Sequence, residues 1–408
     1  MSGRTFEVVE IERLVYGGDG LARRDGKTVF VPQTLPGERA RIEIVERHES
    51  YDRGRLVALE TASPRRIAPA CEYFGRCGGC QWQHAPADYQ AEMKVAILRE
   101  TLRRTGGLEW SAPVALHAGP AWAYRNRARL RVSGAAEAPR LAYFARDSRT
   151  LVPVARCPIA APAVEKAIAA LAALPPPPPG VREIEIMTDA AGARLCLNLE
   201  AERAGTLVRA YASEAAEMAG AAGEGIEYAA GGRDYWVARG AFFQANRFLL
   251  DDLIAAVTAP AGAAGGRAVD LFSGVGLFAL PLAERFANVS AVENHPAAVA
   301  SLRRNAAGLA QLRVHDLAAE EFMARWSGPL ALLVADPPRA GLGRKLVAAI
   351  AAARPRELRY LSCDPATLAR DLKQLLAAAP YRLAELRLFD LFPQTFHIET
   401  LAVLQLAA

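Results

Sequence analysis

The feature that most limits the possible folds is the segment 267–276, where an apolar strand ends in a tight turn with two glycines. The strand covers residues 267–272, and Gly274 and Gly276 directly precede an apolar helix at 277–286. Glycine lets the backbone turn sharply and approach a ligand closely. A strand, a glycine turn and a helix in this order predict a βα unit of a parallel sheet, with a ligand at the turn.

Alternating strands and helices continue from about residue 241 to residue 408. Acidic residues end three of the predicted strands, at Glu293, Asp316 and Asp336. A fifth strand ends just before Cys363, and strands at 382–389 and 397–404 close the sheet. Because parallel strands end at the same edge of a sheet, we expect these side chains to lie near one another. Residues 241–408 are predicted to form an α/β Rossmann-like domain with a mixed seven-stranded sheet.

The glycine turn excludes two common nucleotide-binding classes. It lacks the G-x-G-x-x-G of NAD enzymes, and the chain has no G-x4-G-K-[ST] motif of ATP-binding proteins. The motif D-x-F-x-G-x-G at 270–276, an acid ending the second strand and D-P-P-R at 336–339 together resemble the class I S-adenosylmethionine-dependent methyltransferases. The resemblance implies that Glu293 holds the ribose hydroxyls of the cofactor.

Cys363 is the candidate nucleophile. It follows an apolar strand and precedes Asp364 and Pro365, which are typical of a helix N-cap and a first helical position. The positive end of a helix dipole lowers the pKa of a nearby thiol. The alternative is a buried cysteine that acts as a small apolar filler. Carbon methylation of uracil is a reaction that uses such a thiol. A thiolate added to C6 of the ring makes C5 nucleophilic, and a base must then remove the C5 proton.

Glu399 is the candidate base, since it is a carboxylate in a largely apolar strand, where burial raises the pKa. The alternative is a glutamate at the exposed end of a strand. A competing reaction is amino-group methylation through D-P-P, but Arg339 stands where that motif has an aromatic residue. A further alternative is an RNA-binding or redox-sensing protein with an inactive methyltransferase domain.

Residues 1–62 are predicted to form a small OB-like barrel, because several short strands are separated by turn residues. The pattern G-x-D-G-x-[AG]-R-x-x-G-K at 17–27 resembles the TRAM domain, an RNA-binding barrel. A generic β module is the alternative reading of this segment.

Residues 63–240 are predicted to form a central α+β domain with a cysteine cluster. Cys71, Cys77 and Cys80 form a C-x5-C-x2-C pattern, and Cys157 is the fourth candidate ligand. Closely spaced thiols can hold one soft metal centre, and a Cys-Pro pair recurs beside iron–sulfur clusters. We therefore predict an iron–sulfur cluster; zinc is the alternative.

A basic strand follows the cysteines. Seven arginines and two acidic residues lie between positions 122 and 150, and Arg125, Arg127, Arg129 and Arg131 fall on one face of the strand. This pattern predicts contact with an RNA backbone. A solvated charged face is the alternative.

Taken together, these motifs resemble RNA uracil-5-methyltransferases that carry a TRAM domain and a [4Fe-4S] cluster, with 23S rRNA enzymes as the nearest match and tRNA enzymes as the alternative. The resemblance implies catalytic roles for Cys363 and Glu399 and places Asp336 between cofactor and uracil. It suggests Phe242 and Arg125 as substrate contacts, together with Arg127. Leu277 stands where many members have a polar residue. The implied cofactor contacts are Gln244, Phe272, Gly274, Gly276, Glu293, Asp316 and Asp336.

The composition limits the cellular setting. The 408 residues carry a mild net charge of +5, and no apolar run approaches the roughly 20 residues of a membrane-spanning helix. We therefore expect a cytoplasmic protein that binds no membrane and has reduced cysteines. The mild net charge does not by itself predict a nucleic-acid partner, so the expected RNA binding depends on the basic strand and on the resemblance. We also expect a monomer.

Overall fold

The computed structural model describes residues 6–132, 140–146, 150–203, 205–260 and 266–407. The chain divides into two compact units. The first comprises Met1–Glu100, Tyr143–Val152 and Phe392–His397, and the second comprises Thr101–Ala142, Pro153–Leu391 and Ile398–Ala408. The predicted domains 1–62, 63–240 and 241–408 do not coincide with these units, and their boundaries stay a prediction.

The N-terminal strands close into a five-stranded barrel, as predicted. The strands are β1 (Phe6–Leu14), β2 (Gly20–Arg24), β3 (Lys27–Val31), β4 (Arg39–Arg47) and β5 (Tyr51–Thr61). Their order around the barrel is β1-β2-β3-β5-β4. Because side chains alternate between the two faces of a strand, one set of apolar residues fills the interior. This set is Val9, Ile11, Ala22, Val29, Val31, Ala40 and Ile42.

One helix of the first unit holds the segment Phe392–His397. The helix α1 (Ala87–Thr101) carries a fully buried Lys94, which donates a hydrogen bond to the carbonyl of Phe392 at 2.9 Å. The side chain of Gln90 donates to the side chain of Gln394 at 2.9 Å and accepts from its backbone N–H at 2.7 Å. The residues that precede the C-terminal strand therefore belong to the fold of the first unit.

The second unit begins with a π-helical turn, Leu102–Gly106, and a short strand, β6 (Ala115–His117). A five-stranded sheet and a hairpin follow along the chain, with three helices, and residues 143–152 of this stretch belong to the first unit. The strands are β7 (Arg127–Val132), β8 (Leu141–Phe144), β9 (Leu151–Pro153), β10 (Val181–Thr188), β11 (Leu195–Ala201), β12 (Gly225–Ala230) and β13 (Arg233–Ala238). The helices are α2 (Pro162–Ala172), α3 (Thr206–Ala219) and α4 (Leu250–Val257). The sheet order is β11-β10-β7-β8-β9, and β12 pairs with β13.

The basic strand is β7, and its arginines are paired with acids of β10. Arg129 lies opposite Glu185 and Arg131 opposite Glu183 in the antiparallel ladder. The Nε atoms of Arg129 and Arg131 are each 3.0 Å from a carboxylate oxygen of Glu183. The predicted open basic face is therefore largely neutralised by its neighbouring strand. Arg149 and the two acidic residues counted with this segment, Glu137 and Asp147, lie outside the described residues.

The C-terminal part forms a mixed sheet of eight described strands. The strands are β14 (Arg267–Leu271), β15 (Asn288–Glu293), β16 (Leu312–Asp316), β17 (Leu332–Ala335), β18 (Glu357–Ser362), β19 (Tyr381–Phe389) and β20 (Glu399–Leu406). The helices between them are α5 (Ala279–Leu282), α6 (Pro296–Asn305), α7 (Ala319–Ala324), α8 (Gly343–Ala353) and α9 (Pro365–Ala378). The order is β16-β15-β14-β17-β18-β20-β19-β6.

The eighth strand corrects the predicted count of seven. It is β6, which pairs in parallel with β19 through Ala115 and Arg387, Leu116 and Leu388, and His117 and Phe389. The ring of His117 stacks on that of Phe389 with centroids 4.3 Å apart. Three residues are too few to show alternation, and their partner strand is more than 260 positions away, so sequence reasoning could not place β6. Within the described part of the chain, no helix is long and apolar enough to cross a membrane.

Candidate active site

The carboxyl ends of four parallel strands bring the predicted site residues to one edge of the sheet. The neighbouring strands β15, β14, β17 and β18 run in parallel. Their ends lead into the segments that hold four of the predicted residues. These are Glu293, Phe272, Asp336 and Cys363. The shared edge is where open α/β sheets bind their ligands, as the sequence predicted.

The glycine turn after β14 has the backbone that its sequence requires. Phe272, Gly274 and Gly276 all have positive φ, at 60°, 56° and 97°. A Cβ atom on Gly276 would lie 2.3 Å from Cδ1 of Leu280, so a larger residue does not fit there. Nothing lies within 4 Å of the corresponding position on Gly274, which leaves open space beside the turn.

The carboxylate of Glu293 is bound to this turn. Its Oε2 accepts a hydrogen bond from the N–H of Gly274 at 2.9 Å, and its Oε1 accepts from the N–H groups of Asn294 and His295. The hydroxyl of Ser273 also bridges the carbonyl of Asp270 and the N–H of Val292. The acid that ends β15 is therefore fixed beside the glycines, which fits the binding of a ribose there.

Gln244 and Asp336 are brought together although 92 positions separate them. The amide of Gln244 donates to Oδ2 of Asp336 at 3.4 Å. The backbone carbonyl of Gln244 accepts from the side chain of Asn126 at 3.0 Å, and this buried asparagine also donates to the hydroxyl of Tyr228. The local sequence predicts no role for Asn126, whereas the structure shows that it positions Gln244.

Asp316 lies at the exposed end of β16. Its Oδ2 is 3.1 Å from Nη2 of Arg303, and about half of its side chain is accessible to solvent. Its predicted contact with a cofactor stays a prediction.

Cys363 and Glu399 become neighbours through an antiparallel strand pair. Strand β18 pairs with β20, and the last paired residues are Ser362 and Thr400. The next residues in this register are Cys363 and Glu399, which therefore lie opposite each other. Glu399 is buried at 4% exposure, and its Oε1 has no hydrogen-bond partner among the described residues.

The N-terminus of the helix after Cys363 is formed as predicted. The carboxylate of Asp364 accepts hydrogen bonds from the N–H groups of Ala366 and Thr367, both at 2.9 Å, and Pro365 is the first helical residue. This cap satisfies two of the backbone donors that a helix N-terminus leaves unpaired.

The low pKa expected for Cys363 is wrong. Burial, and then the negative charges of Glu399 and Asp336, raise the pKa of the Cys363 thiol to about 12. The positive charge of Arg339 lowers it in part. The two carboxylates and the loss of water outweigh the helix N-terminus. Sequence reasoning missed this role of Arg339, whose signal is its place directly after D-P-P.

The two carboxyl groups are also perturbed. Burial raises the pKa of Asp336, and the hydrogen bond from Gln244 opposes this. Burial and the charge of Asp336 raise the pKa of Glu399 well above its ordinary value, and Arg339 again opposes the shift. A carboxyl group with a raised pKa accepts a proton readily, which confirms the direction predicted for Glu399.

These charges predict how Cys363 responds to substitution. We expect Glu399→Gln and Asp336→Asn to lower the pKa of Cys363, because each removes a negative charge that opposes the thiolate. Arg339→Ala should raise it. At a pH above the pKa values of the two carboxyl groups and below that of the thiol, each unit by which the thiol pKa falls raises the thiolate fraction about tenfold. The measurement is the pH dependence of iodoacetamide alkylation of Cys363, read by mass spectrometry, with Glu385→Gln as the control variant, because Glu385 is paired with Arg387.

If Cys363 is alkylated in Glu399→Gln at the same rate as in the Glu385→Gln control and the wild type, this carboxylate does not act on the thiol.

Phe242 and Arg127 form a pair at the surface of the second unit. Phe242 is 61% exposed, and the guanidinium carbon of Arg127 lies 6.0 Å from the centre of its ring. Arg127 itself is buried, bonded to Glu185 and to the carbonyl of Ala241. Arg125 donates to the carbonyl of Arg127 at 2.8 Å. The guanidinium of Arg127 therefore lies against the ring of Phe242. The substrate contacts predicted for Phe242, Arg127 and Arg125 stay predictions.

The predicted metal site is not formed by the described side chains. Among the residues that the structure describes, no group of three or more His, Cys, Asp or Glu side chains is arranged to hold a metal ion. Cys71, Cys77 and Cys80 are partly buried in the first unit, and Cys157 belongs to the second unit. The Sγ of Cys77 accepts a backbone hydrogen bond from Gly79 at 3.4 Å. The conformation therefore does not support the [4Fe-4S] cluster.

The fold and the site are those of a methyltransferase with an N-terminal barrel. Residues 227–406 match the tRNA (uracil-5-)-methyltransferase family, and residues 1–57 match the TRAM domain. The chain also resembles a solved tRNA (uracil-54, C5)-methyltransferase of Pyrococcus abyssi in complex with S-adenosyl-L-homocysteine. That likeness has a TM-score of 0.71 at 23% identity and covers 97% of this chain and all of the other. It supports the fold.

The similarity to two relatives extends over almost the whole chain. A 23S rRNA (uracil(1939)-C(5))-methyltransferase of Shewanella amazonensis is 34% identical over 428 residues, covering 98% of this chain and 95% of the relative. A protein of Thermosynechococcus vestitus that is named an uncharacterised RNA methyltransferase is 32% identical, with 98% of each chain covered. The chain therefore belongs to the RNA uracil-5-methyltransferase family, and it is an S-adenosylmethionine-dependent RNA methyltransferase.

Proposed function

We propose that this enzyme methylates C5 of one uridine in 23S rRNA, with Cys363 as nucleophile and Glu399 as base. The observation that carries the proposal is the register of β18 and β20, which sets these two side chains opposite each other at the ligand-binding edge. The named 23S rRNA relatives support ribosomal RNA as the substrate.

The cofactor fits the residues at the glycine turn. The open space beside Gly274 and the fixed carboxylate of Glu293 suit a nucleoside with free ribose hydroxyls. Gln244 and Asp336 stand at the neighbouring strand end. When bound, S-adenosylmethionine supplies an electrophilic methyl group.

The chain's own residues then perform three steps. The thiolate of Cys363 adds to C6 of uracil, forming an S–C6 bond and moving the C5–C6 π electrons towards C5 and O4. C5 uses that electron pair to form its bond to the methyl carbon, and the bond from that carbon to the donor's sulfonium sulfur breaks with its electron pair left on sulfur. Glu399 then takes the C5 proton, the C5–C6 double bond re-forms, and the S–C6 bond breaks to release the Cys363 thiolate. Arg339 opposes the negative charges around the thiol during these steps.

The target uridine must leave its base stack to reach Cys363, because C6 is not accessible inside a paired helix. Phe242 is a candidate to stack on the extruded base, since its ring is exposed and supported by Arg127.

The direct test of the substrate is mapped methyl transfer. Purified enzyme, labelled S-adenosylmethionine and a 23S rRNA fragment centred on uridine 1939 should give 5-methyluridine at that position. A fragment with cytidine at that position is the matched control and should remain unlabelled. Methylation of a tRNA transcript in place of the ribosomal fragment would support the alternative substrate that the family description names.

We also propose that Cys71, Cys77, Cys80 and Cys157 bind a [4Fe-4S] cluster. Their spacing and the soft donor character of thiolates support this, whereas the described conformation does not, so no step of the reaction is assigned to the cluster.

The cluster proposal predicts about four iron and four sulfide ions per chain after anaerobic purification. Cys80→Ser should lose most of the iron, while Cys196→Ser, which changes a buried cysteine of β11, should retain it. Zinc without iron in the wild-type protein would contradict the proposal. The cytoplasmic location and the monomeric state also stay predictions.

A further inference from the structure

A cavity lies within the first unit, and none of the proposed catalytic residues lines it. It has a volume of about 570 Å³, within the range of ligand pockets, about 300–1,000 Å³. The barrel, the glycines between Cys77 and Cys80, the segment 143–146 and Phe396 all contribute to its walls.

Aromatic rings form one part of the cavity. Phe144 is 45% exposed although it is a large apolar side chain. Tyr16 and Phe396 also line the cavity and meet edge to face, with ring centres 5.4 Å apart. Exposed ring faces of this kind bind unstacked bases, because every base offers a π face to stack on.

Arginines form the other part. The guanidinium of Arg146 donates to the carboxylate of Asp19 and to the carbonyl of Gly17, the latter at 3.1 Å. Nη1 of Arg53 lies 3.8 Å from the other carboxylate oxygen of Asp19, and its Nε lies 3.5 Å from the carboxylate of Glu46, which does not line the cavity. Two guanidinium groups and one carboxylate line the cavity, so its lining has a positive charge in excess. This charge favours a ligand with a phosphate group.

Close backbone approach builds the walls before any ligand binds. The N–H of Gly78 donates to the carbonyl of Phe144 at 2.8 Å, and a Cβ on Gly78 would lie 2.9 Å from that oxygen. A Cβ on Gly18 would lie 3.0 Å from Gln81 and 3.3 Å from Phe396. Glycine at both positions lets four separate chain segments meet, so the cavity is fixed by the fold.

We propose that this cavity binds one unpaired nucleotide of the RNA substrate, at a position other than the methylated uridine. The base stacks on the aromatic wall, and its phosphate pairs with Arg53. None of the cavity-lining residues belongs to the set around Cys363, so this nucleotide is a second point of recognition. The inference rests on the proposed function, because that function supplies the RNA.

The test combines a protein variant with abasic scanning of the RNA. The probe is the 23S rRNA fragment centred on uridine 1939, in which each flanking nucleotide is replaced in turn by an abasic one. We expect one position where loss of the base weakens binding to the wild-type protein about 5- to 100-fold. Phe144→Ala should weaken binding of the intact RNA similarly and should be insensitive to loss of that base. Phe6→Ala, an exposed barrel aromatic outside the cavity, is the matched control.

A second variant tests the phosphate contact. Arg53→Ala should reduce the salt dependence of RNA binding by about one phosphate contact, whereas Arg39→Ala, an ion-paired barrel arginine outside the cavity, should not. Equal binding by Phe144→Ala and Phe6→Ala, or additive losses at every abasic position, would overturn the proposal. At saturating RNA, Phe144→Ala should keep the wild-type kcat for methyl transfer. Absence of methylation by the wild-type enzyme would instead contradict the proposed function, while the binding measurements would still test the cavity.

Discussion

Cys363→Ala should abolish methyl transfer, with a fall in rate of more than about 10³-fold, because the thiol supplies the bond that activates C5. The sharper measurement uses RNA that contains 5-fluorouridine at the target position. Fluorine cannot be removed as a proton, so the final elimination stops and the protein remains covalently attached to the RNA. We expect this complex on a denaturing gel with the wild-type protein and none with Cys363→Ala.

Cys196→Ala is the matched control, since it removes a buried cysteine that lies in β11, away from the sheet edge of the site. It should form the covalent complex normally. Retained methylation by Cys363→Ala would contradict the mechanism and favour amino-group methylation through D-P-P, which needs no thiol.

Glu399→Gln should allow addition and methylation but block release of the product. The amide keeps the shape of the side chain and cannot accept the C5 proton, so turnover should fall about 10²- to 10⁴-fold. The S–C6 bond then persists with ordinary uridine in the RNA. We expect a covalent complex that carries the transferred methyl group, detected with labelled S-adenosylmethionine after denaturation.

Glu385→Gln on β19 is the control, because Glu385 is an ordinary glutamate paired with Arg387. It should turn over like the wild type. Normal turnover by Glu399→Gln would exclude Glu399 as the base. A loss of turnover without any covalent complex would instead place its role before methylation, at the thiol whose pKa it raises.

The Glu399→Gln variant also separates two roles of this carboxylate, its effect on the pKa of Cys363 and its removal of the C5 proton. Removing the charge of Glu399 should increase the thiolate fraction of Cys363, as the alkylation experiment measures, while it stops turnover. An enzyme that gains a more reactive nucleophile and loses activity would show that proton removal, and not thiol activation, depends on Glu399.

Local sequence predicted the elements that depend on local physics. The glycine turn at 274–276 has the positive φ angles that its residues favour, and Asp364 caps its helix as a short polar residue before proline should. The barrel followed from alternating apolar residues. These features depend on steric limits and hydrogen bonds within a few positions, so a single sequence contains them.

The ion pairs of the arginines and the pKa of the thiol could not be predicted from the local sequence. Arg129 and Arg131 formed a basic face in the sequence, yet the glutamates of β10, more than 50 positions later, neutralise it. The helix dipole predicts a lowered pKa for Cys363, yet burial and two carboxylates that are distant in the sequence raise it. Charge–charge energies and desolvation depend on which groups become neighbours, and local patterns do not contain that information.

The sequence by itself determined the chemical groups, a thiol at a helix N-terminus, acids at strand ends and a glycine turn, because each follows from local residue order. Only the tertiary structure decided that Cys363 faces Glu399. That pairing arises because β20 runs antiparallel beside β18 in a register that sets Ser362 opposite Thr400. Strand pairing between distant segments joins a nucleophile and a base that are 36 positions apart in the chain, and the same burial sets the pKa of both.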